Sequence, residues 1–295
     1  MNTTRFDFAD YLFRYSIYCI SLLMILVIAW LLGDVFIKGF SHLSWDFLVE
    51  EPRSSGRAGG IAPILTSTML ILAVALITAV PIGLSVAIWL AELTSSFGKY
   101  QQPLTGFVGS TLDVLAGIPS IVYGLFGNAF FSVYLGLGFS ILSGGLTLAC
   151  MILPVFIRTC ESGLRAVDHH WRDGALALGM SRVTTIFHIL LPTTKPAILA
   201  GLILSIGRAT AETAALIFTS GYVDRSPDSL LDSGRALAVH IYDLSMNVTG
   251  GDANAYASAL VLILMILIIN VVVQAMLDRW FFANTRIIRS TTSTH

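Results

Sequence analysis

Long apolar stretches alternate with short polar ones along this chain. A bilayer core needs about 20 mostly apolar residues per helix, and six windows meet that need. The six predicted spans are residues 17–37, 66–90, 107–126, 140–157, 197–220 and 256–277. The first window exceeds the roughly 7–15 apolar residues of a signal peptide, and no small-residue cleavage site follows it. The pattern therefore predicts an all-α polytopic membrane protein with six transmembrane helices.

The third span is the least regular, because "DVLAGIPSIVYGLF" contains Asp113, Gly117, Pro119 and Gly124. A broken helix is tolerated in a membrane only where neighbouring helices or water satisfy its backbone. Ser120 can therefore face a wet path between the helices or bond to the kinked backbone, and the sequence leaves both open. Asp113 lies near the inner end of the span, where water can reach it.

Lys and Arg positions predict the orientation. With the N-terminus inside, the inner segments hold 11 of the 17 Lys and Arg residues, Lys99 among them, and the outer segments hold 5. By the positive-inside rule both termini are cytoplasmic. The cytoplasmic parts are then the tails 1–16 and 278–295 with the loop 158–195. The periplasmic loops are 38–65 and 221–255, and we expect the latter to be mostly solvated.

Composition supports a membrane protein and excludes several other classes. The chain of 295 residues is 55% hydrophobic and 12% charged, against about 25% charged in soluble domains. A net charge of −1 argues against a nucleic-acid surface. Neither the three cysteines nor the scattered histidines show metal-ligand spacing. We expect four of these histidines at the surface: His169, His170, His188 and His240.

The inner loop contains two short amphipathic helices. The first carries apolar residues at helical spacing: Leu164, Val167, Trp171, Ala175 and Leu178. Gly179 then stands where a helix ends in the left-handed region, and Ser181 can cap the second helix. The second has its own apolar face, followed by Pro192: Val183, Ile186, Phe187, Leu190 and Leu191. Nothing within the loop covers these faces, which predicts a partner surface at 164–192.

The same loop resembles the cytoplasmic signature of permeases of ATP-driven importers, E-A-A, three residues, G, nine residues, I-x-L-P. In "DGALALGMSRVTTIFHILLP" four residues are in register: Gly179, Ile189, Leu191 and Pro192. Asp173, Gly174 and Ala175 occupy the E-A-A positions. Asp is shorter than Glu, and Gly weakens a helix by ~1 kcal/mol relative to Ala. The resemblance implies that these seven residues, together with Leu178, couple the chain to an ATPase.

Three further stretches resemble the membrane subunits of the phosphate-specific ABC importer: "LAGIPSIVYGLFG" at 115–127, "LPVFIRTCESGLRAV" at 153–167 and "GRATAETAALIFTSG" at 207–221. The similarity extends over about residues 15–282, and the short N-terminal region resembles the A-type subunit rather than the C-type. It implies a type I ABC importer permease core at 66–277 in the bacterial inner membrane. The function implied is half of a translocation path for inorganic phosphate.

The resemblance also implies a set of partners. They are a second, homologous permease, two copies of an ATP-binding subunit, and a periplasmic phosphate-binding protein. This chain has no G-x-x-x-x-G-K-[ST] phosphate loop, so we expect it to be a transport subunit and not an enzyme. ATP and Mg would be used by the partner ATPase, and no cofactor is expected on this chain.

The stretch "RATAETAALIF" places Arg208 and Glu212 four residues apart within the fifth span. Bringing an Arg to the bilayer centre costs ~2.5–3.5 kcal/mol, and Arg208 lies about 18 Å along the helix. One interpretation is an i,i+4 ion pair that only packs the helix. The other is that Arg208 lines a wet path and binds the phosphate anion through two hydrogen bonds, with Glu212 orienting its guanidinium.

Other interpretations stay open. Arg158 and Glu161, at the inner end of the fourth span, form either a surface pair or an inner gate. The substrate could be another oxyanion, such as sulfate or molybdate. A secondary transporter also places charges at the membrane midplane, although it has no need of the ordered inner loop.

Overall fold

The structure, a computed structural model, describes residues 4–93 and 102–291. The inner connection that carries Lys99 and the two chain ends lie outside these ranges. The helices are α1 (Thr4–Phe40), α2 (Trp45–Val49), α3 (Ala62–Ile88), α4 (Gln102–Ala116), α5 (Ser120–Gly127), α6 (Ile141–Arg165), α7 (His169–Ala177), α8 (Arg182–Thr185), α9 (Leu191–Thr193), α10 (Lys195–Thr210), α11 (Ala214–Ile217), α12 (Leu237–Met246) and α13 (Asp252–Thr291). π-helical turns follow α3, α5 and α8, at Trp89–Leu93, Asn128–Tyr134 and Ile186–Leu190. Strands β1 (Pro52–Arg53) and β2 (Ala58–Gly59) form one antiparallel ribbon.

Within the described ranges four helical segments are long and apolar enough to cross a membrane: Asp10–Phe40, Ala62–Glu92, Ile141–Arg165 and Asp252–Met276. Two bent pairs raise the number to six if each pair is one span. Leu104–Ala116 meets Ser120–Tyr134 at 102°, and Arg182–Thr193 meets Lys195–Thr210 at 67°. The all-α polytopic fold is confirmed. Within the predicted tails 1–16 and 278–295, the described residues 4–16 and 278–291 are helical and belong to α1 and α13.

The third predicted span, 107–126, is broken at the residues that make it irregular in the sequence. Helix α4 ends at Ala116, and α5 begins after Pro119, whose fixed φ and missing N–H suit the start of a helix. The Tyr123 hydroxyl donates to the Leu115 carbonyl oxygen at 2.9 Å, which closes the corner between the two helices.

The fifth span, predicted as one helix over 197–220, is also interrupted. Helix α10 stops at Thr210 and the single turn of α11 starts at Ala214. Helix α5 lies against this turn, since a Cβ on Gly124 would stand 2.8 Å from the Cα of Ala215. The break therefore lies where α5 approaches the backbone closely.

Helices α3 and α6 form the centre of the fold, with α10 packed on α6. Their close approach depends on small residues, as is usual between membrane helices. A Cβ on Gly83 would lie 2.5 Å from the Phe156 ring, and one on Gly145 would lie 2.5 Å from Val74. Helix α1 lies outside this centre and packs mainly on α13. Its apolar side chains are exposed in the isolated chain, as lipid contact requires.

The outer loop at 221–255 is more ordered than the predicted solvated loop. Helix α12 is buried along one face, through Leu237, Val239 and Leu244, and it packs on α13 and α3. The sequence pattern does not reveal the burial of α12, because small and polar residues lie on the same helix as the buried apolar ones. The ribbon at 52–59 also contacts it, and we call the ribbon and α12 together the outer cap.

The prediction of a surface position is wrong for His240. The other three histidines in question are exposed, but His240 is fully buried in the outer cap. A Cβ on Gly56, which has φ +84°, would stand 2.6 Å from the His240 ring. Arg235 lies beside it and forms an ion pair with Asp243 at 3.3 Å. Burial, followed by the Arg235 charge, lowers the pKa of His240 to about 4, so the ring is neutral.

Candidate functional site

Arg208 lies near the carboxyl end of α10, within the membrane part of the chain, and its side chain is partly buried. No hydrogen bond or ion pair joins its guanidinium to any residue that the structure describes. Its charge acts on the hydroxyl of Tyr123, which α5 brings towards it. The residue is therefore a cation at depth whose charge no carboxylate of the described residues neutralises.

The predicted pairing of Arg208 with Glu212 is wrong. Because α10 ends at Thr210, the two residues do not share a helical face. Glu212 instead accepts a hydrogen bond from the backbone N–H of Ala215 at 3.1 Å and so caps the short α11. Neither an ion pair that packs the helix nor an orienting contact to the guanidinium is formed.

An apolar cavity of about 450 Å³ opens between α4, α5 and α6. Tyr123, Phe126 and Cys150 line it, so the residue whose hydroxyl is influenced by the Arg208 charge also lines this cavity. Ser120 begins α5 and is half-buried, but it does not line the cavity. Its hydroxyl makes no hydrogen bond to the backbone of the described residues, and its place on a path stays a prediction.

Arg158 lies at the centre of an inner charge cluster. Its Nε donates to Asp113 Oδ1 at 2.8 Å, its Nη1 to Glu161 Oε2 at 2.9 Å, and its Nη2 to the Gly109 carbonyl oxygen at 2.7 Å. Glu161, which is buried, also accepts from Arg165 at 2.9 Å. The i,i+3 pair predicted from the sequence is formed, and Arg158 also ties α6 to α4. Asp113 is exposed, as predicted, but it is also paired.

A second ion pair was not predicted from the sequence. Arg172 on α7 donates from Nε to Glu92 Oε2 at 3.0 Å, with a second bond from Nη2 to Oε1. The same guanidinium donates to the carbonyl oxygens of Val167 at 2.7 Å and Leu164 at 2.9 Å. Glu92 stands in the π-helical turn that ends α3. Only two weak signals existed in the sequence, a charge at the end of an apolar span and an Arg next to the signature.

The inner loop has the local geometry predicted from its glycine and serine. Gly179 has φ +72°, and Ser181 Oγ accepts from the backbone N–H of Thr184 at 3.2 Å. The apolar faces divide into two parts. Leu164, Val167, Ala175, Ile186, Leu190 and Leu191 are buried. The exposed part, which we call the docking surface, consists of Trp171, Leu176, Leu178, Val183 and Phe187.

The signature residues themselves take varied positions. Asp173 and Gly174 are exposed, and a Cβ on Gly174 would meet no atom within 4 Å. Ile189 and Pro192 are partly buried. Their coupling roles stay predictions. Among the described residues no group of three or more His, Cys, Asp or Glu side chains could hold a metal ion.

Comparison with known proteins gives consistent matches. The profile of the family "Binding-protein-dependent transport system inner membrane component" matches residues 79–281. The probable ABC transporter permease protein YqgI of Bacillus subtilis (strain 168) is 31% identical over 83% of this chain and 86% of its own length. The phosphate transport system permease protein PstA of Mycobacterium leprae (strain TN) is 32% identical over 84% of this chain and 82% of its own length.

Solved structures share the fold at low sequence identity. A bacterial ABC transporter involved in the import of the acidic polysaccharide alginate has a chain that matches with a TM-score of 0.58 at 15% identity, over 92% of this chain and 98% of that one. The MetNI methionine ABC transporter, in an inward-facing conformation, matches with a TM-score of 0.55 at 16% identity, over 75% of this chain and 95% of that one.

Proposed function

We propose a function from one premise: the chain belongs to the family of binding-protein-dependent transport system inner membrane components. Its fold is that of ABC importer permeases, and it is a multi-pass membrane protein. A subunit of this kind transports and is not an enzyme. It works with another permease, an ATPase and a substrate-binding protein. Family membership also excludes the ion-coupled secondary transporter.

The substrate that we propose is inorganic phosphate, with this chain as the A-type permease. Relatives named as phosphate transport permeases support this, at 32% identity over most of both chains. The full set of partners that we propose is a C-type permease, two ATPase copies that use ATP and Mg, and a periplasmic phosphate-binding protein.

The observation that carries the proposal is the unpaired Arg208. A guanidinium in a low-dielectric medium needs water or an anion near it. A phosphate oxyanion can accept two parallel N–H bonds from it. Because no carboxylate of the described residues binds Arg208, an arriving anion has no internal competitor to displace. The half-buried Arg158, by contrast, already has its donors filled.

The substrate is tested by uptake into proteoliposomes that hold the purified complex with its ATPase side facing an ATP-filled lumen and the phosphate-binding protein added outside. Radiolabelled phosphate should accumulate in an ATP-dependent way, and a tenfold excess of sulfate or molybdate should leave uptake within twofold of its starting rate. If sulfate or molybdate is carried in preference to phosphate, the chain serves that oxyanion instead.

We further propose that both termini and the docking surface face the cytoplasm. The support is the excess of Lys and Arg in the inner segments. A membrane-impermeant thiol reagent applied to intact cells should label a cysteine at Ser229 or Asn247 but not one at Ser181. The native cysteines are first replaced by serine. Labelling at Ser181 would reverse the orientation.

A further inference from the structure

Helix α7 carries part of the docking surface but holds the membrane helices through few contacts. Its exposed side includes Trp171 and Leu176, and the one side chain of this helix that is buried is the small Ala175. Apolar packing alone therefore gives α7 a weak hold on the fold. The polar hold is larger, because the Arg172 guanidinium makes four hydrogen bonds to other segments.

These bonds join three elements at one point. The Leu164 carbonyl belongs to the last turn of α6, and the Val167 carbonyl to the link that follows it. Glu92 belongs to the inner end of α3, 80 residues earlier in the chain. Both charged side chains are largely shielded, with exposures of 18% for Arg172 and 11% for Glu92. A shielded pair with two parallel bonds resists reorientation better than a solvated one.

We propose that the Arg172–Glu92 pair is the link through which movement of α7 reaches α3 during the transport cycle. Arg172 is then a positioning residue for coupling, and this inference rests on the proposed transport function. Helix α6 is already continuous with α7 through the short link at 166–168. Helix α3 has no chain connection to α7 and packs on α6, so the Arg172–Glu92 bridge gives α7 a direct hold on α3 in addition to the indirect one through α6.

The planar fork of arginine is essential to this role. Two nitrogens bind the carboxylate while two N–H groups remain for the carbonyls of Leu164 and Val167. Lysine offers a single ammonium without that geometry. Arg172→Lys is therefore expected to keep the charge but to hold α3 less firmly.

The test measures phosphate imported per ATP hydrolysed by the complete complex in proteoliposomes. We expect Arg172→Met and Glu92→Gln each to lower that ratio at least fivefold, while ATP hydrolysis continues, and Arg172→Lys to give an intermediate ratio. Arg165→Met is the matched control. Arg165 binds Glu161 and the Leu90 carbonyl, so its loss weakens the contact of α6 with the inner end of α3 and leaves the bridge from α7. Its ratio should stay within twofold of wild type.

A covalent rescue separates a mechanical link from local packing. In a background without Cys19, Cys150 and Cys160, cysteines replace Glu92 and Arg172 and are joined by a short bifunctional thiol reagent. The cross-linked complex should recover at least half of the wild-type ratio of phosphate imported per ATP. The same double-cysteine complex without the cross-link should not. Wild-type ratios in Arg172→Met and Glu92→Gln would overturn the proposal. So would uncoupling that the cross-link does not repair.

Failure of the proposed substrate would be distinct from failure of this inference. If the wild-type complex imports another oxyanion and not phosphate, the substrate is wrong and the ratio is measured with that oxyanion. Glu92→Gln nearly preserves side-chain size, so it decides the result if Arg172→Met does not assemble.

Discussion

Arg158 and Arg208 lie in neighbouring helices of the same bundle, but the surroundings of their charges differ. Arg158 has two carboxylates and a backbone carbonyl around it, at the inner end of α6 where water is near. Arg208 lies deeper, where a charge costs more, and no residue in the described ranges pairs with it. A buried charge that serves stability alone is normally paired. This difference is the basis of the proposal that Arg208, unlike the structural Arg158, is available to bind an anion.

The largest effect that this contrast predicts is for Arg208→Met. Uptake of phosphate should fall more than 100-fold while membrane abundance and ATPase binding persist, because the anion then meets an apolar barrier. Arg208→Lys keeps the charge but loses the fork, and we expect about a tenfold loss. Uptake assays alongside copurification of the ATPase measure both. Near wild-type uptake by Arg208→Met would remove Arg208 from the path.

Arg158→Met should act on stability instead. It leaves buried Glu161 with Arg165 alone and frees Asp113, so we expect a loss of about 1–2 kcal/mol, less than for a fully buried pair because Arg158 is partly solvated. Asp113→Asn should cost less, since the Asp113 side chain is 64% exposed. Thermal unfolding in detergent provides the comparison. A specific loss of uptake at unchanged stability would instead favour an inner gate.

The outer cap offers a third case, a buried titratable group that carries no charge. The pKa of His240 is about 4 in the folded chain and about 6.5 when unfolded. As pH falls below 6.5 the unfolded chain binds a proton that the folded chain does not. Stability is therefore full above pH 6.5 and falls by roughly 1 kcal/mol between pH 7 and 5.5.

The variant His240→Gln removes this titration while keeping a neutral polar side chain. Its melting temperature should change less between pH 7 and 5.5 than that of the wild type. The groups that face His240 are Arg235 and Asp243, with Tyr222 bound through its carbonyl to Arg235. An unchanged pH slope would show that another group is responsible.

The smallest effect is expected at Glu212. Glu212→Gln keeps an oxygen that can accept from Ala215, so the cap of α11 survives and uptake should stay within twofold. Adding Glu212→Leu to Arg208→Met should restore nothing, because the two residues are not partners. Recovery of uptake in that double variant would mean that an ion pair forms during transport.

Local sequence signals were sufficient to predict much of the fold. Four long spans follow from hydropathy alone, and the φ of Gly179 follows from its place after a helix. The break after Thr210 does not follow, because the residues around it favour helix and the interruption lies where α5 approaches through Gly124. The burial of His240 and the Arg172–Glu92 pair depend on segments far apart in sequence. Sequence patterns identify local elements, whereas these contacts are set by how the elements meet.

The contact of α1 with α13 has a consequence for how the protein is made. Its close approach, with a Cβ on Gly39 only 2.7 Å from the Tyr256 carbonyl oxygen, joins the first long helix to the last. During synthesis on the ribosome α1 therefore has to stay in lipid without its main partner until α13 has been made. Its apolar sequence, with a mean hydropathy of 2.6, tolerates that delay. The α1–α13 contact can form only after α13 has been made, so truncation before α13 should leave α1 inserted but without its main packing partner.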